Sequence, residues 1–218
     1  MCYQTRIIKK KEEMMERFNA ALDELNDYEP MEFCSAFEYP KTPVITNENP
    51  NKIQLYNWGL IPSWSQNESI KNYTLNARIE TLSEKKSFKD VVQNRCLVIA
   101  DGFYEWQWIT KNGSKKEKYL ITLPNEELFA FAGLYTQWTN FDNPKLNSYT
   151  IITTQANKLM SKIHNTKQRM PIILKKEDEQ HWLQGENYED FKFPYSCNLI
   201  ATSLSQNNLE QLGLFDIN

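Results

Sequence analysis

The spacing of hydrophobic positions along the chain changes several times, and each change predicts a different element. Near the N-terminus, "KKKEEMMERFNAALDELNDY" places Met14, Phe18, Leu22, Leu25 and Tyr28 on one face at helical spacing. Glu12 and Glu13 suit the positive first turn of such a helix. The stretch reads as one amphipathic helix docked on a core, with Lys9, Lys10 and Lys11 as a solvated patch beside it.

From Thr42 the period shortens to two. The segment to Asn57 is extended and proline-punctuated, "KIQLYNW" alternates, and "NWGLIPSW" reads as a strand end running into a loop. "RCLVIADGFYEWQWI" is rich in β-branched and aromatic residues. With the turn-like "TKNGSKKEK" and the following "YLITL" it predicts a β-hairpin. "LFAFAGLYTQW" and "SYTIITTQA" predict two more strands. "NKLMSKIH" predicts a short helix, and "KEDEQHWLQG" another that stops at Gly185. The tail "NNLEQLGLFDIN", over 207–218, has the composition of a frayed end.

The length of 218 residues suits one sizeable domain, and neither repeat nor linker divides it. The expectation is a single α+β domain over 1–218, with the β-rich middle as its core and helices packed around it. A net charge of −3 excludes a non-specific nucleic-acid coat protein, although a local basic groove can sit on an acidic protein. Cys2, Cys34, Cys96 and Cys197 are far apart, so no Cys-x-x-Cys metal pattern exists. The start lacks an apolar signal core, and the longest apolar run, "LFAFAGLY", is too short to cross a bilayer. The expected location is therefore the cytosol, with reduced thiols.

The candidate chemistry is sparse. Cys2 directly follows Met1, and trimming of the methionine would leave an α-amine and a thiol on one residue. The two histidines are His164 and His181, and His164, ending a short helix, is the natural proton shuttle to test beside the blander reading of a core or surface residue. In "DGFYEW", strand alternation gives Phe103, Glu105 and Gln107 one face and Tyr104 and Trp106 the other. A carboxylate in such surroundings is paired, exposed, or raised in pKa as a general acid is. "LNARIE" puts Asn76 and Arg78 on one face of an extended segment, able to orient a reacting group and to grip a phosphate or carboxylate. Trp58 and Trp64 flank a Gly and a Pro, as core residues or as platforms for an unpaired base.

Taken in order, "MC", "WGLIPSW", "NARIE", "ADGFYEW", "TTQAN" and "IHN…RMP" resemble the motif series of the SOS response-associated peptidase family, also called the abasic-site-processing family. The resemblance runs from Cys2 to Leu174. It implies one α+β domain around a β-barrel-like core, with residues 1–8 as a catalytic N-terminal strand. It also implies covalent capture of abasic sites in single-stranded DNA, through a thiazolidine formed by the N-terminal cysteine. On that resemblance Asn76 would position the N-terminal residue or the sugar, Glu105 would be the acid–base catalyst, and His164 would move protons in sugar-ring opening. Arg78 would grip a phosphate, Trp58 and Trp106 would frame the site, and Arg6 and Arg169 are further DNA-contact candidates. No metal, organic cofactor or membrane is implied; a monomer is the simplest expectation, in the cytosol and nucleoid-associated when bound to DNA. Two alternatives stand beside it: a peptidase using Cys2 as nucleophile, on Met1 or in trans, with possible lyase chemistry at the Schiff base as a side reaction of the first scheme, and a non-catalytic module for single-stranded nucleic acid. The chain departs from the family pattern at Tyr3-Gln4, where Gly-Arg is common, at "SAFEYP", and at the spacer "NTKQ" after His164.

Overall fold

The computed structural model describes residues 2–22, 28–140, 143–205 and 211–213. In chain order the strands are β1 (Gln4–Ile7), β2 (Ala21–Leu22), β3 (Met31–Ser35), β4 (Lys41–Thr46), β5 (Asn49–Trp58), β6 (Asn76–Arg78), β7 (Arg95–Ala100) and β8 (Gly102–Trp108). They continue with β9 (Lys116–Thr122), β10 (Phe129–Asn140), β11 (Asn143–Gln155), β12 (Arg169–Pro171), β13 (Ile173–Leu174), β14 (Ile200–Ser203) and β15 (Gln211–Gly213). The α-helices are α1 (Lys11–Phe18), α2 (Lys158–Ile163) and α3 (Glu179–Leu183).

Strands β11, β10, β7, β4 and β5 are hydrogen-bonded in that order, and β5 pairs back onto β11 in parallel through Asn57–Ser148 and Trp58–Tyr149. This closure makes a five-stranded barrel, which removes the exposed edges that an open sheet would present. A second sheet, ordered β15-β14-β9-β8-β1-β3, carries the N-terminal strand between β8 and β3. One face of β7 and β10, with Cys96, Val98, Phe129 and Phe131, packs in the same core as Phe103, Tyr119 and Ile121 of the second sheet. The opposite face, with Leu97, Ile99, Ala130 and Leu134, joins a second core with Met14, Phe88, Trp182 and Phe191. Gly133 lets β10 approach its neighbours, since a Cβ there would lie 2.8 Å from Cys96 Sγ and 3.0 Å from Thr150 O.

The architecture is the expected α+β domain with a barrel core, but two local expectations change. The predicted N-terminal helix stops at Phe18, because Asn19 adopts the left-handed conformation (φ 49°) and caps it. Ala21 and Leu22 then run as β2 beside β5, Tyr28 instead donates its hydroxyl to the carbonyls of Ile7 and Lys9, and Leu25 lies outside the described residues. "RCLVIADGFYEWQWI" is two strands in two sheets. The break is Asp101, whose carboxylate accepts from Arg6 Nε and from the backbone amides of Ile8 and Lys9. The hairpin is β8–β9, with Glu105 opposite Tyr119. Within the tail, Gln211–Gly213 pairs with β14 instead of fraying, and the rest of 207–218 lies outside the described residues.

Candidate active site

Strand β1 delivers Cys2 into the first core, where it is fully buried. Its thiol donates to the Gln4 carbonyl at 3.9 Å. Burial, reinforced by the nearby negative charge of Glu105, pushes the thiol pKa far up, so the sulfur carries its proton at neutral pH. Asn76 reaches across from β6 and donates its side-chain amide to the Cys2 carbonyl at 2.8 Å. The Asn76 Oδ1 and Gln4 Oε1 atoms are buried with no hydrogen-bond partner among the described residues, and the Asn76 oxygen belongs to the same amide that holds Cys2.

Glu105 lies on the inward face of β8 and is 7 % exposed. Its Oε1 accepts from the Trp106 amide at 3.1 Å. The same carboxylate acts electrostatically on Cys2, Tyr3 and His164, which puts it amid these three groups. His164 ends α2, whose start is capped by Asn157 accepting from the Met160 amide at 2.9 Å. The His164 Nδ1 lies 2.8 Å from the Arg169 carbonyl and 3.2 Å from the Arg169 amide nitrogen, so the Arg169 peptide orients the ring. Burial lowers the imidazole pKa against the opposing pull of Glu105, and the ring is therefore neutral at pH 7.

Cys2, Asn76, Glu105 and His164 thus come together, from β1, β6, β8 and the end of α2. Arg78 follows Asn76 on the same side of β6, exposed, with no acidic partner among the described residues. The other candidates sit differently. Trp58 is completely buried, stacks on Tyr149 at 6.1 Å, and donates its indole N–H to the Leu75 carbonyl at 2.8 Å. It holds the residue preceding Asn76 and offers no ring face to a base. Trp106 points from the face of β8 opposite to Glu105, where Lys118 covers it together with Tyr104 and Phe33. Arg6 is 4 % exposed, its guanidinium committed to Asp101 at 2.8 Å and Glu126 at 2.9 Å. Arg169 grips both oxygens of Glu80, at 2.6 and 2.9 Å, and donates to the Thr153 carbonyl at 2.7 Å. Arg6 and Arg169 are therefore structural ties, not exposed phosphate ligands.

Three contributors escaped the reading of the sequence. Asn157 stands in the quoted "TTQAN" but shows its role only as the cap of the helix that ends at His164. Glu80 matters through Arg169, and Tyr3 packs beside Cys2 against Phe37. Tyr3 stood out only as a departure from the family pattern, and short polar residues outside regular strands carry no periodic signal. No group of three or more His, Cys, Asp or Glu side chains is arranged as metal ligands among the described residues.

The family model described as SOS response associated peptidase (SRAP) matches residues 1–209. The abasic site processing protein YoqW of Bacillus subtilis (strain 168) is 38% identical over 191 residues, spanning 86% of this chain and 82% of the relative. The abasic site processing protein HMCES of Xenopus tropicalis is 36% identical over 140 residues, 54% of this chain and 40% of that protein. A crystal structure of a Bacteroides thetaiotaomicron protein superposes with a TM-score of 0.81 at 30% identity, covering 94% of this chain and 93% of the other.

Proposed function

The chain belongs to the SOS response-associated peptidase family, and from that premise we propose that it processes abasic sites in single-stranded DNA by capturing them covalently on Cys2. Removal of Met1 turns the Cys2 amide nitrogen into an α-amine with an ordinary pKa of about 8, so a usable neutral fraction exists at pH 7. That nitrogen adds to the aldehyde carbon of the opened deoxyribose, and loss of one water gives a C=N Schiff base. The Cys2 sulfur then bonds to the same carbon, the C=N π pair moves to nitrogen, and the thiol proton follows it. A five-membered thiazolidine results, with one water released and nothing oxidised or reduced. The closure is intramolecular and has the corresponding proximity advantage.

The observation that carries this reading is the 2.8 Å hydrogen bond from Asn76 to the Cys2 carbonyl. It anchors the residue by the one polar group that takes no part in the chemistry. Glu105 takes up the proton released as the amine adds to the aldehyde and returns it to the carbinolamine oxygen, which leaves as water. His164, neutral, takes a proton from the sugar hydroxyl and returns it to the ring oxygen during opening. Arg78 holds a backbone phosphate. A thiol held protonated by burial favours this amine-first route over thiolate attack on a peptide.

Intact-mass measurement before and after incubation with a single-stranded oligonucleotide bearing one abasic site tests the reading. The expected product has the mass of protein lacking Met1 plus DNA minus one water. Equal adduct from wild type and Cys2→Ala would refute it.

A further inference from the structure

Beside Cys2 the chain builds an aromatic ledge. The Tyr3 and Phe37 rings lie 5.1 Å apart between centroids and are inclined by 31°. Tyr3 is partly buried against the core that holds Cys2, whereas Phe37 is 59 % exposed. A single exposed hydrophobe is ordinary on a protein surface. Phe37 is distinguished by how firmly it is held and by what it adjoins. Its 3₁₀ turn, Ala36–Glu38, is tied to β1 by the Ala36 amide donating to the Tyr3 carbonyl at 2.9 Å, and Ser35 pairs with Gln4 in the sheet. On the far side Tyr39 leaves the turn in the left-handed conformation (φ 51°) and donates its hydroxyl to Asn72. The ring pair therefore has a fixed position relative to Cys2. Burial, with the charge of Glu105, raises the Tyr3 pKa, and its ring meets Phe37.

We infer that the exposed face of Phe37, backed by Tyr3, stacks the intact nucleobase next to the abasic nucleotide. This inference rests on the reading of Cys2 as the residue that captures the abasic sugar. An abasic nucleotide leaves a gap in the strand's stack, and the Phe37 ring, packed on the residue that follows Cys2, covers the face of the neighbouring base which that gap exposes. Base–aromatic stacking is tolerant of sequence because every base has a π-face, and it grows with ring area, so a purine is held better than a pyrimidine. The exposed carboxylate of Glu38 adjoins the ring and repels phosphate. The ledge therefore takes a base, while the backbone runs on the side of Arg78. Tyr3 stands where Gly is common in the family, so this contact is a property of this chain's own sequence.

The test uses fluorescence anisotropy with single strands carrying the unreactive tetrahydrofuran analogue of an abasic site. The neighbouring position, on the 5′ or the 3′ side in turn, holds adenine, thymine or a second tetrahydrofuran. Wild type is expected to bind the adenine-flanked strand about tenfold more tightly than the doubly abasic one on one of the two sides, thymine falling between, as loss of one base–aromatic stack requires. Phe37→Ala removes that preference and Phe37→Trp keeps it, with unchanged thermal unfolding. A wild type indifferent to the flanking base, or a Phe37→Ala variant that retains the preference, overturns the ledge. Cross-linking to reactive abasic DNA is scored separately. Loss of flank preference with cross-linking intact defeats this inference alone, and absent cross-linking with the preference intact defeats covalent capture alone.

Discussion

Asn76 and Cys2, 74 residues apart in the chain, are joined by a 2.8 Å hydrogen bond from the asparagine side chain to the cysteine carbonyl. The acceptor belongs to the segment that must stay still while its amine and thiol react. Asn76→Ala removes the donor and leaves the carbonyl unsatisfied, a loss of about 1–3 kcal/mol. The expected result is a single-turnover cross-linking rate at saturating DNA lowered by about 5- to 100-fold, with DNA affinity little changed. Weakened affinity at an unchanged saturating rate would instead make Asn76 a DNA contact.

His164 gives the protein an acid limit. Its folded-state pKa lies below the 6.5 of the free group because of burial. As pH falls through 6.5 the unfolded chain takes up a proton that the folded protein refuses, so this group's share of stability is present above 6.5 and declines below it. Urea unfolding over the range from about pH 5 to 7.5 should show stability falling on acidification, and His164→Gln should flatten that slope. An unchanged slope in the variant would place the acid sensitivity elsewhere.

The arginines divide into tools and ties. Arg78→Ala should reduce the slope of log affinity against log salt by about one, as loss of a single phosphate contact does, and leave stability unchanged. Arg6→Ala should do the reverse. It strands the fully buried Asp101 carboxylate and is expected to destabilise the fold by about 3–5 kcal/mol. Arg169→Ala should slow cross-linking through the His164 ring that its peptide orients, without altering the salt slope. Salt titrations of binding to single-stranded DNA, alongside denaturant curves, separate the three.

Trp58→Phe keeps a ring in the core but loses the indole donor to Leu75. The expected outcome is a lower unfolding midpoint, corresponding to about 1–3 kcal/mol, with binding of single-stranded DNA unaltered below the transition. Reduced DNA binding at unchanged stability would return Trp58 to the base-platform role that its position in "WGLIPSW" left open beside a core one.

Much of this molecule was legible before any coordinates. β5, β10 and β11 follow directly from alternation, and the β8–β9 hairpin from a glycine-containing turn between two β-rich runs. The split of "RCLVIADGFYEWQWI" at Asp101 was not legible, because the groups that break it, Arg6 and the amides of Ile8 and Lys9, come from a distant strand. The early end of α1 was equally hidden. Periodicity carried the helical face on to Leu22, but Asn19 turned left-handed and Ala21–Leu22 found a partner in β5.

Residue types and their order along the chain determined the chemistry available: a cysteine after Met1, a carboxylate among aromatics, one histidine at a helix end, and an Asn-x-Arg pair on a short extended segment. They also determined the family, since the spacing of rare motifs is itself a property of sequence. The tertiary structure alone decided which charged and aromatic groups face the site. Arg6 and Arg169 read as DNA contacts because a guanidinium binds a phosphate and a carboxylate with the same fork, and only the positions of Asp101, Glu126 and Glu80 distinguish the two uses. Trp58, expected from the resemblance to frame the site, is buried in the core for a similar reason. An aromatic ring lowers its free energy in the core or against another flat ring, and burial, a property of the whole chain, settles which it does.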